Sequence, residues 1–252
     1  MDFGISGKRA LVLGASRGLG AAIAAGLAAE GVTVLAAARS IDAMAQCDRI
    51  RPLKVDLADV ASVAALIETV KAEGGVDILV NNGGGPVPGP ALGQSAQGWS
   101  TAFSSMAVAL FTITDGLIGG MIEAGWGRVI TIGSSGIAQP IPNLAISNGV
   151  RSAVSGWSKT LAGEVARHGV TVNMILPGRI DTDRVRSLDA SRAERTGISV
   201  ADVQSSSRTE IPAGRYGTPE EFAAVATFLA SRQASYITGS AIRVDGGMIK
   251  GL

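Results

Sequence analysis

The stretch Arg9-Ala10-Leu11-Val12-Leu13-Gly14-Ala15-Ser16-Arg17-Gly18-Leu19-Gly20 decides the fold. An apolar run, RALVLG (9–14), ends in a turn with glycines at 14, 18 and 20, and a helix-like segment (18–30) follows. A diphosphate needs backbone N–H groups it can approach closely, and side chains would block that approach. Glycine also adopts the backbone angles such a turn demands. A helix start adds positive partial charge facing an anion. Glycine triplets alone are common, but strand, turn and helix in this order match a dinucleotide cradle.

Outward from that turn, short apolar runs alternate with helical stretches. The runs are VTVLAAA (32–38), RPLKVD (51–56), VDILVNN (76–82), GRVITIG (127–133), GVTVNMILPG (169–178) and SAIRVDGG (240–247). Near-continuous apolarity suits strands buried on both faces of a parallel sheet. Residues 59–73 place Val60, Val63, Ala64, Ile67 and Val70 on one stripe behind Asp59, a plausible N-cap. Residues 98–124, 147–168 and 218–231 are helix-like too, the last opening on Thr218-Pro219-Glu220-Glu221. The pattern predicts one α/β domain over 1–252, a Rossmann-type, doubly wound, seven-stranded parallel sheet with right-handed crossovers and flanking helices. Residues 180–212 are polar and irregular, and suggest a mobile substrate lid.

Composition narrows the function classes. The chain has 252 residues, 46% of them hydrophobic and 17% charged, with net charge +1. That balance gives no electrostatic reason to expect nucleic acid or a membrane surface. No uninterrupted transmembrane-length run is visible, and the amino terminus lacks a signal-peptide pattern. A cytoplasmic protein is expected. A single cysteine, Cys47, excludes an internal disulfide and any Cys-based metal site, and it is expected to be a small filler or surface residue. No metal is expected. The one histidine, His168, sits in Arg-His-Gly and suits a turn.

Arg39 follows the second strand. An acidic residue there suits the ribose hydroxyls of NAD, whereas arginine suits the 2′-phosphate of NADP, and Arg17 is placed to share that phosphate. NADP(H) is therefore expected over NAD(H).

GASRGLG (14–20), Asp56-Leu57, NNGG (81–84), PGRIDT (177–182), GTPEE and ITGSAIRVDGG together resemble the short-chain dehydrogenase/reductase family, most closely its 3-oxoacyl-[acyl-carrier-protein] reductase-like members. The resemblance covers nearly the whole chain, although Leu13 stands where a threonine is usual. It implies a cofactor site of Gly14, Ser16, Arg17, Gly18, Leu19, Gly20, Arg39, Asp56, Leu57, Asn82, Gly83, Arg151, Pro177, Gly178 and Thr182. Asp56 and Leu57 would border the adenine, and Thr182 would meet the nicotinamide carboxamide. It also implies a small carbonyl or alcohol substrate and a homotetramer or homodimer, with helices 98–124 and 147–168 pairing across a two-fold.

The family reduces a carbonyl with a tyrosine acid, a lysine that lowers the tyrosine's pKa, a serine that polarises the carbonyl and an asparagine that supports a water relay. Ser134 stands at the serine position. Counting back from GWSKTLA puts Arg151 at the lysine and Ser147 at the tyrosine, thirteen residues after Ser134. Met106 falls near the asparagine position. The only tyrosines, Tyr216 and Tyr236, lie far along the chain, and Lys159 reads as a surface lysine of its own helix. The candidate catalytic residues are Ser134, Ser147 and Arg151. Arginine keeps the charge but does not give up its proton, so it would act electrostatically. Three outcomes stay open: solvent-protonated hydride transfer, capture of a carboxylate or phosphate substrate by Arg151, and a catalytically impaired NADP-binding regulatory or structural protein.

Overall fold

The computed structural model describes residues 2–42, 44 and 48–251. Cys47 lies outside the described residues. Seven strands run β1 (Arg9–Leu13), β2 (Thr33–Ala38), β3 (Ile50–Lys54), β4 (Ile78–Asn81), β5 (Gly127–Ile132), β6 (Val170–Pro177) and β7 (Ala241–Val244). They form a single sheet in the order β3-β2-β1-β4-β5-β6-β7, and every neighbouring pair is parallel. The order reverses between β1 and β4, so a crevice opens at the carboxyl ends of those two strands.

Both faces of the sheet are covered, as the unbroken apolar runs require. Ala10 and Val12 point to one side, where they join Ile23 and Leu27 of α1 (Gly18–Ala29) and Phe222 and Leu229 of α8 (Pro219–Ala230). Leu11 and Leu13 point to the other. There they meet α2 (Val60–Ala72), α4 (Ala109–Glu123), which follows α3 (Ala96–Phe103), and α5 (Ala145–Val165). In α2 the buried stripe is Val63, Leu66, Ile67 and Val70. This corrects the sequence expectation. Val60 is 84% exposed and Ala64 is exposed, and Leu66 joins the buried stripe in their place.

A second correction concerns residues 180–212. They form two helices, α6 (Asp183–Thr196) and α7 (Val200–Thr209), not an irregular segment. Thr182 and Ser199 cap their amino ends and Gly197 (φ 71°) stops α6. Few apolar residues face inward, so the helical period is faint in the sequence. Polar ties hold α6 down instead. Asp189 is fully buried, accepts a hydrogen bond from Arg179, and accepts another from the Tyr216 hydroxyl at 2.9 Å.

A third correction concerns length. Ala96–Glu123 runs as one continuous helix through a π-helical turn at Ser104–Val108, and it is long and apolar enough to cross a membrane by length and composition. Its scattered Ser and Thr interrupt the apolar run but barely lower the average. Half of its apolar window is buried inside the fold, as in a core helix.

Arg128 is the largest side chain fully buried in the core and ties three elements. Its guanidinium donates to the carbonyls of Ser231 (3.1 Å), just past α8, and Gly127 (2.8 Å), and to Ser235 Oγ (2.8 Å). It also stacks over Trp126, 4.4 Å from the ring centre. Burial lowers its pKa to about 10, still well above neutrality. Arg128→Met leaves those buried acceptors dry. A loss of about 2–3 kcal/mol is expected, or about 4–12 °C in Tm for a chain of this size. A calorimetric Tm unchanged within about 2 °C would show that Arg128 is not this tie.

Candidate active site and cofactor cleft

The β1–α1 turn lies at the crevice. Gly14 has φ 62° and Gly18 has φ 56°, the left-handed region glycine tolerates. A Cβ on Gly20 would stand 2.2 Å from the Gly14 carbonyl oxygen. The bare backbone therefore lets the helix start close against the strand end and leaves the outer side of the turn open. Ser16 and Arg17 are exposed there, and Leu19 is half-buried against the core.

Neighbouring loops complete a continuous rim. Ala15 donates its N–H to Ala37 O (3.1 Å), which sets the turn beside the end of β2 and the exposed Arg39. Val55 donates to Ala38 O (2.9 Å) and brings Asp56 and Leu57 alongside. The Asp56 carboxylate accepts from Ala58 N at 3.0 Å. A Cβ on Gly83 would lie 3.5 Å from Leu57 Cδ1. Asn82 Nδ2 donates to Leu13 O (3.1 Å) and Gly14 O (3.3 Å), joining the β4 loop to the turn. Gly178 donates to Val244 O (2.9 Å) just after Pro177. Thr182 is buried, caps α6, and lies within about a methyl's reach of Gly18.

The second cluster sits at the end of β5. Ser134 Oγ accepts from Gly136 N at 3.0 Å, which caps a short 3₁₀ turn (Ser135–Ile137). A hydroxyl that accepts one hydrogen bond keeps its own O–H to donate. Ser147 lies in the first turn of α5, and Arg151, four residues on, shares its helix face. Arg151 Nη1 donates to Ile132 O (3.0 Å) and Gly133 O (3.2 Å), directly before Ser134. Asn148 fastens the same helix turn, donating from Nδ2 to Ile141 O at 2.9 Å. Its Oδ1 would be 2.4 Å from a Cβ on Gly136, so α5 and the Ser134 turn pack tightly. Burial, and then the neighbouring Arg184 charge, lower Arg151 to about 10. It therefore remains a cation at neutral pH.

Other residues singled out in the sequence lie elsewhere or are occupied. Tyr216 is bonded to Asp189, and its pKa is raised, chiefly by burial. Tyr236 is wholly exposed. Met106 is buried in the π-helical turn and offers no hydrogen-bond donor. Lys159 Nζ donates to Gly239 O (3.0 Å), beside β7. His168 ends a 3₁₀ turn before β6.

Arg184 escaped the sequence reading. It is the second residue of α6 and donates from Nη2 to Pro86 O at 3.0 Å, across the crevice mouth. One signal was available: a cation in the first turn of a helix opposes the helix dipole.

Comparison with known proteins agrees with this architecture. The family described as enoyl-(acyl carrier protein) reductase matches residues 14–249. The 3-oxoacyl-[acyl-carrier-protein] reductase FabG of Escherichia coli (strain K12) is 38% identical over 250 residues, covering 96% of this chain and 97% of that protein. L-sorbose reductase from Gluconobacter frateurii, solved with NADPH and L-sorbose, is 35% identical with TM-score 0.92, covering 100% of both chains. YwfH, an NADPH dependent reductase involved in bacilysin biosynthesis, is 29% identical with TM-score 0.92, covering 98% of this chain and 100% of that one. The chain belongs to the short-chain dehydrogenase/reductase family of oxidoreductase enzymes.

Proposed function

We propose that this protein is an NADP(H)-dependent reductase of a small carbonyl substrate, or an oxidant of the matching alcohol, that works without a tyrosine acid. The observation that carries this reading is Arg151. It is a cation fixed to the last carbonyls of β5, beside Ser134 and on one helix face with Ser147.

The cleft suits the cofactor. At the Gly14–Gly20 turn a Cβ on Gly20 would strike the Gly14 carbonyl oxygen, so the bare backbone keeps the turn tight and its outer side open, and the helix start behind it favours a diphosphate. Arg17 and Arg39 lie exposed on the side proposed to take a 2′-phosphate. Relatives solved with NADPH support the same choice. Asp56, Leu57, Asn82, Gly83, Pro177, Gly178 and Thr182 line the remaining rim. When bound, the cofactor supplies or accepts the hydride.

This chain's own residues act on the substrate oxygen. Ser134 donates its O–H, and the Arg151 guanidinium offers Nε to the developing negative charge, with Nη2 still free. Preorganised donors of this kind are each worth about 10²–10³ in rate. Ser147, with a hydroxyl far too basic for an efficient acid, passes a proton in from solvent. α6 and α7, the helices of residues 180–212, form the substrate lid.

Calorimetric titration with NADPH and NADH, followed by a reduced-nicotinamide absorbance screen over ketones, aldehydes and 2-oxo acids, tests the reading. Tight NADPH binding with no turnover on any class would sink it. Arg39→Asp should weaken NADPH binding about tenfold or more while sparing NADH, the loss expected for a charged hydrogen bond. Equal weakening of both cofactors would remove Arg39 from the phosphate site. Arg151→Met should cost about 10²–10³ in kcat with NADPH affinity held within tenfold.

The pH profile separates this mechanism from tyrosine catalysis. Arg151 is charged below about 10, so oxyanion stabilisation is present throughout the neutral range and is lost only as pH rises through that value. kcat is therefore expected to stay flat between about pH 6 and 9. Ser147→Tyr/Arg151→Lys installs an ionising acid and should add an alkaline fall inside that window. A wild-type profile that already falls there points to another proton donor.

A further inference from the structure

Loop 83–90 (GGGPVPGP) touches both sides of the crevice mouth. On one side, Gly89 donates its N–H to Asn143 O (2.8 Å) and accepts from Ala145 N (3.2 Å), at the start of the helix that carries Ser147 and Arg151. On the other, Pro86 O accepts from Arg184, whose guanidinium would also lie 3.1 Å from a Cβ on Gly85. Loop 83–90 thus links Arg184 to the first turn of the helix that carries Arg151, and the Arg184 charge is near enough to act on Arg151.

Neither arginine has a carboxylate partner among the described residues. The acids nearest Arg184 in sequence, Asp181 and Asp183, are both paired with Arg186. Each of the two arginines bonds only to backbone carbonyls, and through one nitrogen only. Four further donor nitrogens remain, in two planar forks that match carboxylate and phosphate oxygens. Two like charges, Arg151 half-buried and Arg184 exposed at the rim, repel, and each guanidinium is held below its ordinary pKa. Arg184 also sits in the first turn of α6, against the helix dipole. An anion between them would relieve all three costs.

We propose that Arg151 and Arg184 form a clamp for an oxyanion group, carboxylate or phosphoryl, on the substrate, with Arg184 the specificity-determining residue. This rests on the reductase reading above for what happens to the substrate but not for the anion site itself. The substrate class is an acidic carbonyl compound, its reacting carbon close to its charged group.

Calorimetry with oxalate, its neutral isostere oxamide and inorganic phosphate tests the clamp, each titrated with and without saturating NADPH. The full-length protein should bind oxalate or phosphate at least about tenfold more tightly than oxamide, the effect of one charge-assisted hydrogen bond pair. Arg184→Gln, at an exposed position, should weaken that anion about tenfold while NADPH affinity stays within about twofold, and Arg184→Lys should recover part of the loss. The better-bound anion, oxalate or phosphate, assigns the group. Oxamide binding as well as both anions, or unchanged anion affinity in Arg184→Gln, overturns the clamp. So does a loss of NADPH affinity larger than the loss of anion affinity, since that places Arg184 on the cofactor. Arg184-dependent anion binding in a protein that ignores NADPH upholds the clamp and overturns the reductase reading instead.

Discussion

Between Gly14 and Gly20 the chain turns so closely that a methyl group on Gly20 would stand 2.2 Å from the Gly14 carbonyl oxygen. The rest of the crevice depends on this contact. It seats α1 against β1, frees the outer side of the turn, and leaves room for Asn82 to bond Leu13 and Gly14 from the next strand along. Any larger residue at 20 would push the helix start away and separate the β1 and β4 loops that face each other at the switch point. A local steric limit thus sets the geometry of a cleft built from five loops distant in sequence.

The sheet was legible because its strands are buried on both sides. Val34 to Ala38 and Ile78 to Val80 leave almost no surface, so each run of apolar residues could only be a central strand. The β1–α1 turn was legible for a different reason. Glycine carries backbone requirements that show in the sequence itself, as at Gly14 and Gly18. Where a segment depends on partners far along the chain, the same reading failed. The α6 helix is held by Asp189 bonded to Arg179 and Tyr216, and no apolar period announces such a tie. In α2 the expected stripe held at Val63, Ile67 and Val70, but Leu66 is buried where Val60 and Ala64 were expected, because sequence does not say which flank of a helix its neighbours cover.

Arg128, Arg151 and Arg184, without a carboxylate partner among the described residues, are of two kinds. The donors of Arg128 are filled by Ser231, Gly127, Gly169 and Ser235 and by the face of Trp126. Burial makes it expensive, and the engagement of all three nitrogens makes it a structural tie. Arg151 is half-buried with one nitrogen engaged, and Arg184 is exposed at the rim with one engaged. Incomplete satisfaction in a half-buried mouth is the physical difference between a tie and a site. The same burial that lowers the pKa of Arg128 and Arg151 to about 10 has opposite meanings in the two places.

An arginine in the proposed catalytic position changes the kind of work the position can do. A tyrosine beside a lysine transfers a proton, so its usefulness depends on the match between its pKa and the working pH. A guanidinium transfers none and stabilises charge wherever its donors already point. Such a site needs the substrate oxygen to arrive in register with a fixed fork, and it gains little from a substrate that can rotate. A second guanidinium across the mouth supplies that register: an anionic group held at Arg184 and Arg151 fixes the carbon beside it, and positioning then replaces acid strength as the source of rate. The proposed lack of a tyrosine acid and an Arg184 without a carboxylate among the described residues are, on this argument, two sides of one arrangement. A reductase working as proposed, without a side-chain acid, gains most from a substrate that carries its own charge to a fixed place.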